Sequence, residues 1–518
     1  STALTNDQRG VGFSRIQGGV VDIGAFETDT PAPDFVVDRT DDGDMRDCTA
    51  APNDCSLRGA INYANLYTGT DTITFDPTIF ASAQVITLTS DLPGIWTDMS
   101  ISGPGADKLT IDGNHSHRPF RTDNVLGHAL VSISEMTIAN GYAAPTSNGG
   151  YGGAIYNFIA TLTISNVVFT GNSTDPGYQG GALFAQQSIV TINDSTFSNN
   201  SAGYGGAIAH PGNPYGSTFT INNSTFTGNY GEFGGGAIAG VGGPSIVINH
   251  STFTNNNTSN EHGQGGAIYG YATITDSTIT GNSASGGGAF YGSNVSIVGS
   301  TISHNSTSSN GSAITADYLS LINSTVSENT SFLAYDDCSN CGTVIESGNT
   351  TIINSTIANN HAPLLQSGGV NFSGTLTIQN SILANNGLNN CLIAYPDVVV
   401  DNGHNIDSGG SCGFSGTSLS NTDPLLVLEG LQDNGGPTQT IALQSGSPAI
   451  NAGDNNFAVD MDGFVLTTEQ RGIGFPRIVG DTVDIGAFET QSAACPAFPY
   501  TVAAGDSHGL ITAIACAN

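Results

Sequence analysis

Few side chains in this sequence could carry hydrolytic chemistry. A glycan-cleaving site needs two carboxylates facing one groove, roughly 5–9.5 Å apart. Three places offer them: Asp336 with Asp337, Asp401 with Asp407, and Asp423. Neighbours on a strand point to opposite faces, which counts against the first pair. Asp423 precedes Pro424 and suits a turn. A lyase would need a basic proton acceptor and cations for uronate carboxylates, yet no Lys or Arg stands between Arg121 and Arg471. Asp460-Met461-Asp462-Gly463 alternates like a calcium loop but lacks the downstream Glu, so it reads as an Asp-capped turn. His115 and His117 read as surface histidines. Cys338-Ser-Asn-Cys341 lacks two further good ligands for zinc. No catalytic residue, metal or cofactor is expected, and the chain reads as a non-enzyme.

The remaining cysteines decide the compartment. All eight fall into local pairs, Cys48/Cys55, Cys338/Cys341, Cys391/Cys412 and Cys495/Cys516, which reads as disulfides in an oxidising, extracellular setting. Asp and Glu outnumber Lys and Arg by 43 to 10 over 518 residues, a net charge of −33. Such a polyanion repels nucleic acid and anionic lipid. No apolar run reaches the length of a membrane span, and no secretory leader is visible.

What must position these residues is a repeat. Gly-Gly-Ala-aliphatic steps recur at Gly152, Gly180, Gly205, Gly235, Gly265 and Gly287, with degenerate copies to Gly368. Between them an apolar residue precedes another by five, as in Ile164/Phe169, Ile221/Phe226 and Ile352/Ile357. A period in the twenties means a solenoid, propeller or array. Each unit holds three short runs that alternate β-branched with polar residues, broken by Asn, Gly and Ser. Four-stranded propeller blades need longer repeats, and the Leu/Asn spacing of leucine-rich repeats is missing. The pattern predicts an all-β, right-handed parallel β-helix solenoid with coils about 4.8 Å apart. Earlier coils are expected at Val85–Leu88, Met99–Ser102 and Leu109–Gly113. The frequent Asn-X-Ser/Thr triplets, Asn172, Asn193, Asn223, Asn249, Asn305, Asn323 and Asn354 among them, read as laddered turn residues. Solenoid ends need caps, and Ser56–Asn65, with Leu57, Ile61 and Ala64 at helical spacing, predicts a short N-terminal capping helix.

The two ends of the sequence repeat each other. Residues 5–28 recur at 467–490 with a constant offset: Gln8-Arg9-Gly10 as Gln470-Arg471-Gly472, and Asp22-Ile-Gly-Ala-Phe-Glu27 as Asp484-Ile-Gly-Ala-Phe-Glu489. Residues 510–518 echo the capping helix. The division that follows is 1–28 as the tail of a preceding or neighbouring module, 29–71 as an N-terminal cap and 72–424 as coils. Residues 425–490 read as a β-rich C-terminal cap and 491–518 as the start of a following module. Two accounts stay open, one period of a tandem array or a whole subunit docking onto copies of itself; both give head-to-tail, filament-forming contacts. A plain internal duplication is the third account. Expected assembly residues are Arg9, Phe13, Asp22, Phe26 and Glu27, their counterparts Arg471, Phe475, Asp484, Phe488 and Glu489, and Leu510 and Ile514.

These residues also carry a resemblance. Cys55-Ser-Leu-Arg-Gly-Ala60 resembles the CSLREA-type motif of large bacterial surface proteins, with Gly59 where that motif has Glu. Leu431-Gln-Asp-Asn-Gly-Gly-Pro-Thr438, Gly446-Ser-Pro-Ala-Ile-Asn-Ala-Gly453, Gln470-Arg-Gly472 and Asp484–Glu489 resemble the choice-of-anchor Q domain. That family is a secreted right-handed β-helix related to polymorphic-outer-membrane-protein adhesins. Cys391 and Cys412 resemble its paired cysteines. The resemblance implies an extracellular or cell-surface role and assigns no catalytic residue. The expected function is therefore a structural or adhesive β-helix assembling end to end. The alternatives are a monomeric adhesin binding a glycan or protein, presenting Tyr151, Tyr156, Tyr178, Tyr204, Tyr215, Tyr230, Tyr269, Tyr271 and Tyr291 near the Gly-rich turns, and a polysaccharide-cleaving enzyme.

Overall fold

The structure is a computed structural model that describes residues 35–49, 51–67, 69–123, 129–145, 148–212, 217–240, 246–259, 262–308, 311–332, 342–362, 368–394 and 396–491. One coil shows how the sequence builds it. Strands Thr218–Asn222, Thr225–Thr227, Tyr230–Gly234 and Ile238–Gly240 follow one another around a single turn. Each pairs in parallel with the same strand of the next coil: Ile221 with Ile248, Phe226 with Phe253, Tyr230 with Asn257, Ile238 with Ile268. Repetition of this coil gives a parallel β-helix of about 11 turns. The expected early coils are present as Gln84–Thr87, Met99–Ser102 and Leu109–Asp112. The sequence reading of three strands per coil needs one correction. A fourth, very short strand follows the Asn turn, from Tyr142–Ala143 up to Thr330–Ser331. Several of its copies are only two residues long, too short to show any alternation.

In-register stacking places like on like. Phe169, Phe197, Phe226 and Phe253 lie fully buried in one column, with ring centroids 4.6–4.8 Å apart and planes within 9° of parallel. That spacing is the interstrand distance itself, so the backbone ladder sets the aromatic stack. Each Gly of the Gly-Gly-Ala step has its own reason. Gly235 takes φ +62, and a Cβ there would lie 2.0 Å from the Ile238 carbonyl oxygen. A Cβ on Gly236 would lie 2.1 Å from the Gly266 oxygen of the next coil.

Two polar ladders close the turns. In the first, each Ser Oγ accepts the backbone N–H of its predecessor, running Ser195, Ser224, Ser251, Ser277, Ser300, Ser324, Ser355, Ser381. In the second, buried Asn side chains run from Asn172 through Asn200, Asn229, Asn256, Asn282, Asn305, Asn329 and Asn360 to Asn386. Asn172, Asn305, Asn323 and Asn354 are buried, and Asn193 and Asn249 flank Asn222 in a third short ladder. The Asn-X-Ser/Thr triplets are thus largely turn architecture, with Asn223 exposed.

The predicted capping helix spans Leu57–Ala64, with the Ser56 side chain accepting Gly59 N–H. Its apolar face lies against the first rung, where Tyr63 meets Phe35 at 5.6 Å. Arg58 pairs with Asp42 at 2.8 Å and donates to the Ser90 and Asp91 carbonyls. The Gly at position 59 has a local cause, since a Cβ there would lie 1.8 Å from the Met45 carbonyl oxygen. Cys48–Cys55 and Cys391–Cys412 are disulfides, which fits an extracellular location. Among the described residues no helix is long and apolar enough to cross a membrane.

Beneath the cap sits Asp71, fully buried with neither carboxylate oxygen hydrogen-bonded. Burial pushes its carboxyl up to about 6. A carboxyl whose folded value is raised contributes stability below its unfolded value, and that contribution is lost as pH rises through about 6. Asp71→Asn is therefore expected to raise the melting temperature at pH 7.5 and to leave it nearly unchanged at pH 4.5. Equal shifts at both values would refute this account.

Candidate functional site

The C-terminal motifs converge on one buried cluster. The segment from Leu425 to Gln491 does not stack as further coils. It runs back along the flank of the helix, held together by short antiparallel bridges at Leu426/Leu443, Gln432/Thr440, Val459/Val465 and Thr468/Pro476. Its centre is Arg471, whose guanidinium lies 4.1 Å from the Phe475 ring centroid and 3.9 Å from that of Phe488. Arg471 pairs with Glu469 and donates to the Glu489 carbonyl at 2.6 Å. Gly435 and Gly436 are bare because their α-carbons lie against the Phe475 ring and the Arg471 backbone. Arg477 is fully buried; it donates to the Asp484 carbonyl at 2.6 Å and to Asn323 Oδ1 at 3.3 Å, and stands 3.5 Å from Glu489. Asp484 accepts the N–H of Asn451 and of Thr490, tying in the Gly446–Gly453 motif.

The strap grips a ledge made by consecutive rungs. Gln470 donates to Thr301 Oγ1 at 2.8 Å and to Thr438, and accepts from Thr325 Oγ1 at 2.5 Å. Ala487 N–H reaches Thr356 Oγ1 at 3.1 Å, Gly486 N–H reaches the Asn380 carbonyl, and Asn323 donates to the Thr468 carbonyl. Thr301, Thr325 and Thr356 occupy one strand position on successive coils and are buried. On earlier coils the same column continues, uncovered, as Thr225, Thr252 and Thr278.

Of the expected assembly residues, Arg471, Phe475, Asp484, Phe488 and Glu489 are therefore brought together, with their contacts inside this chain. Arg9, Phe13, Asp22, Phe26, Glu27, Leu510 and Ile514 lie outside the described residues, as do Asp336, Asp337, Cys338, Cys341, Cys495 and Cys516. Sequence reasoning missed Glu469, Gln470 and Arg477 as members. The signal for Gln470 and Arg477 was present, because Gln8 and Arg15 repeat them at the same offset.

Three carboxylates and two guanidiniums share this dry cluster. Burial pushes Glu469 up and Glu489 up to about 7, while Arg471 and Arg477 are pushed down by burial. One bound proton makes the set neutral. Because the docked value of Glu489 is raised, docking is favoured at low pH and weakens as pH rises through about 7. Limited proteolysis is expected to cut the strap faster at pH 8.5 than at pH 5.5, with the coils unaffected; a pH-independent rate would contradict it.

The hydrolase candidates that lie among the described residues are engaged in local hydrogen bonds. Asp401 accepts from Gly403, Asn405, Ser415 and Ser418, and buried Asp407 from Asn390, Gly409 and Cys412. Asp423 accepts Leu425 N–H in a turn, and Asp460 accepts from Asp462 and Phe464 in another. Each holds a loop.

A cleft of about 790 Å³ opens on the face that follows the Gly-Gly-Ala steps. Its lining includes Tyr269, Tyr271, Tyr291, Thr315, Asp317, Glu346, Asn371 and Asp397. One outward column supplies Tyr269, Tyr291, Thr315, Glu346 and Asn371 on successive rungs. The rings of Tyr269 and Tyr291 lie 5.8 Å apart at 34°.

Residues 166–186, 194–211 and 250–271 match one known repeat. It is the Chlamydia polymorphic membrane protein repeat. Each matched stretch contains one rung of the Asn ladder (Asn172, Asn200, Asn256) and the Gly-Gly-Ala step after it. The likeness to polymorphic-outer-membrane-protein β-helices read from the sequence is thereby borne out. No curated protein matches the chain. Among solved structures, the A-module of the Azotobacter vinelandii mannuronan C-5 epimerase AlgE4 is similar at 14% identity, covering 66% of this chain and 93% of its own, with a TM-score of 0.37. PfbA, a surface adhesin of Streptococcus pneumoniae, is similar at 14% identity, covering 66% and 88%, with a TM-score of 0.33. At such identity and TM-score neither bears on what this chain does.

Proposed function

We propose that the chain is a non-catalytic, adhesive β-helix of the cell surface whose modules join head to tail. The polymorphic membrane protein repeats and the disulfides support the surface setting. The observation that carries the joining is the duplication: residues 5–28 repeat the strap that closes the flank of this module. In sequence Gln8, Arg9, Arg15, Asp22 and Glu27 correspond to Gln470, Arg471, Arg477, Asp484 and Glu489, the residues that dock here. In this reading residues 5–28 close the Thr/Asn ledge of a neighbouring β-helix, covalently linked or a separate copy. The ledge here is already filled by its own strap. A fluorescent peptide of residues 5–28 should therefore bind a strap-released variant, Arg477→Met, and not the parent protein. Binding to neither would remove the joining mechanism, and electron micrographs showing only dispersed rods would remove the array.

A further inference from the structure

We infer that the cleft beside Tyr269 and Tyr291 binds an uncharged glycan chain laid along the helix axis. This deepens the adhesive part of the proposed function and rests on it, but does not depend on the strap. The cleft crosses six consecutive rungs, from Ile268–Gly270 to Asn389–Leu392, a length of about 24 Å at the interstrand spacing. Its volume, about 790 Å³, falls within the usual range for ligand pockets. At one end two half-exposed tyrosines stand on adjacent rungs with ring centroids 5.8 Å apart, and such amphipathic rings suit a pyranose, an apolar body for its C–H groups and a hydroxyl for its rim. Gly292 follows Tyr291 because a Cβ there would lie 1.8 Å from the Gly270 carbonyl oxygen of the preceding rung, so the backbone packs closely beneath the cleft. At the other end the column turns polar with Thr315, Glu346 and Asn371, and Asp317 and Asp397 complete the lining. These groups accept and donate hydrogen bonds to sugar hydroxyls.

Charge narrows the class. No Lys or Arg stands between Arg121 and Arg471, so nothing in the cleft can pair with a uronate, sulfate or phosphate. Its carboxylates repel such groups. The rung repeat is close to that of an extended pyranose chain, so the same contact can recur from sugar to sugar. A cationic peptide would also answer the charge and could set a cation over a tyrosine ring, but the neutral hydroxyl and amide groups of Tyr271, Ser293, Thr315 and Asn371 favour a polyhydroxylated chain.

Immobilised neutral hexasaccharides (cellohexaose, maltohexaose and mannohexaose), hexagalacturonate and a hexalysine peptide test this with the full chain. Binding is expected to at least one neutral chain, with little change between 50 and 500 mM salt, and to neither charged probe. Tyr291→Ala and Tyr269→Ala should each weaken it about tenfold, while Tyr230→Ala, on an exposed ring outside the cleft, should not. Thermal melts would show that the variants remain folded. Capture of hexalysine or hexagalacturonate instead, no neutral binding, or neutral binding indifferent to both tyrosine variants would each overturn the assignment. Whole-protein adherence to cells that survives Tyr291→Ala would retire the cleft and leave the surface role standing; loss of strap-peptide binding would remove the joining mechanism and leave the cleft standing.

Discussion

Replacing Asn256 with alanine or aspartate is expected to split the unfolding of the rod into two transitions. The Asn256 side chain uses its full valence: Oδ1 accepts from Asn229 N–H at 3.1 Å and from Asn229 Nδ2 at 2.8 Å, while Nδ2 donates to the Phe226 carbonyl at 3.0 Å and to Asn282 Oδ1 at 2.9 Å. All of this is buried. Alanine takes the side-chain partner from the Asn229 N–H and the Phe226 carbonyl, while Asn229 Nδ2 keeps the Phe197 carbonyl and Asn282 Oδ1 keeps the backbone N–H of residue 256; at about 1–3 kcal/mol for each group stranded, the local loss is about 2–6 kcal/mol. Aspartate keeps the acceptors but points an oxygen at two others and adds a buried charge, which is worse. Coils touch only their neighbours, so the damage decouples those before Asn256 from those after it. Calorimetry should show the N-terminal and C-terminal halves melting apart, and hydrogen exchange should place the weak point at the ladder neighbours Asn229 and Asn282. A single transition within a few degrees of the parent would show that the ladder is ornament.

The second large effect is expected at Arg477→Met. The parent guanidinium is wholly buried and holds the Asp484 carbonyl, Asn323 Oδ1 and the Glu489 carboxylate at once. Removing one partner of a buried ion pair costs about 3–5 kcal/mol, because the other charge stays behind unpaired. The strap is held on the flank by few apolar contacts beyond Ile485, Leu426 and their neighbours, so a cost of that size should release it. The expected readout is rapid proteolytic cleavage within 467–490 with the coil melting temperature little changed. Arg477→Lys should release it too, since one ammonium cannot reproduce the planar fork. A strap as protease-resistant as the parent's would mean that the Thr ledge, not the arginine, holds it.

How much of this was readable beforehand follows from where the information lies. The coils were legible because their cores are periodic: Ile221 over Ile248 and Phe226 over Phe253 each come from a repeated apolar spacing. The capping helix was legible from Leu57, Ile61 and Ala64, and Cys48–Cys55 from proximity in sequence. The fourth strand was not, because a pair such as Ser173–Thr174 carries no alternation. Nor was the path of the strap, which rests on partners more than a hundred residues away, Gln470 on Thr301 and Ala487 on Thr356. Such contacts leave no period in the sequence. The cleft was half legible: tyrosines near the Gly-rich steps were visible, but only the register sets Tyr269, Tyr291, Thr315 and Glu346 in one column.

The strap first meets the helix at Gly299, through Thr438, and the tyrosines of the cleft begin at Tyr269. From Asn172, where the Asn ladder begins, to that point the rod is made of interchangeable storeys, each offering the same floor and ceiling. A descendant could add or drop a storey there and change its reach by about 4.8 Å, while buckle and cleft stayed as they are. The length of the rod is thus a dial that selection can turn one notch at a time.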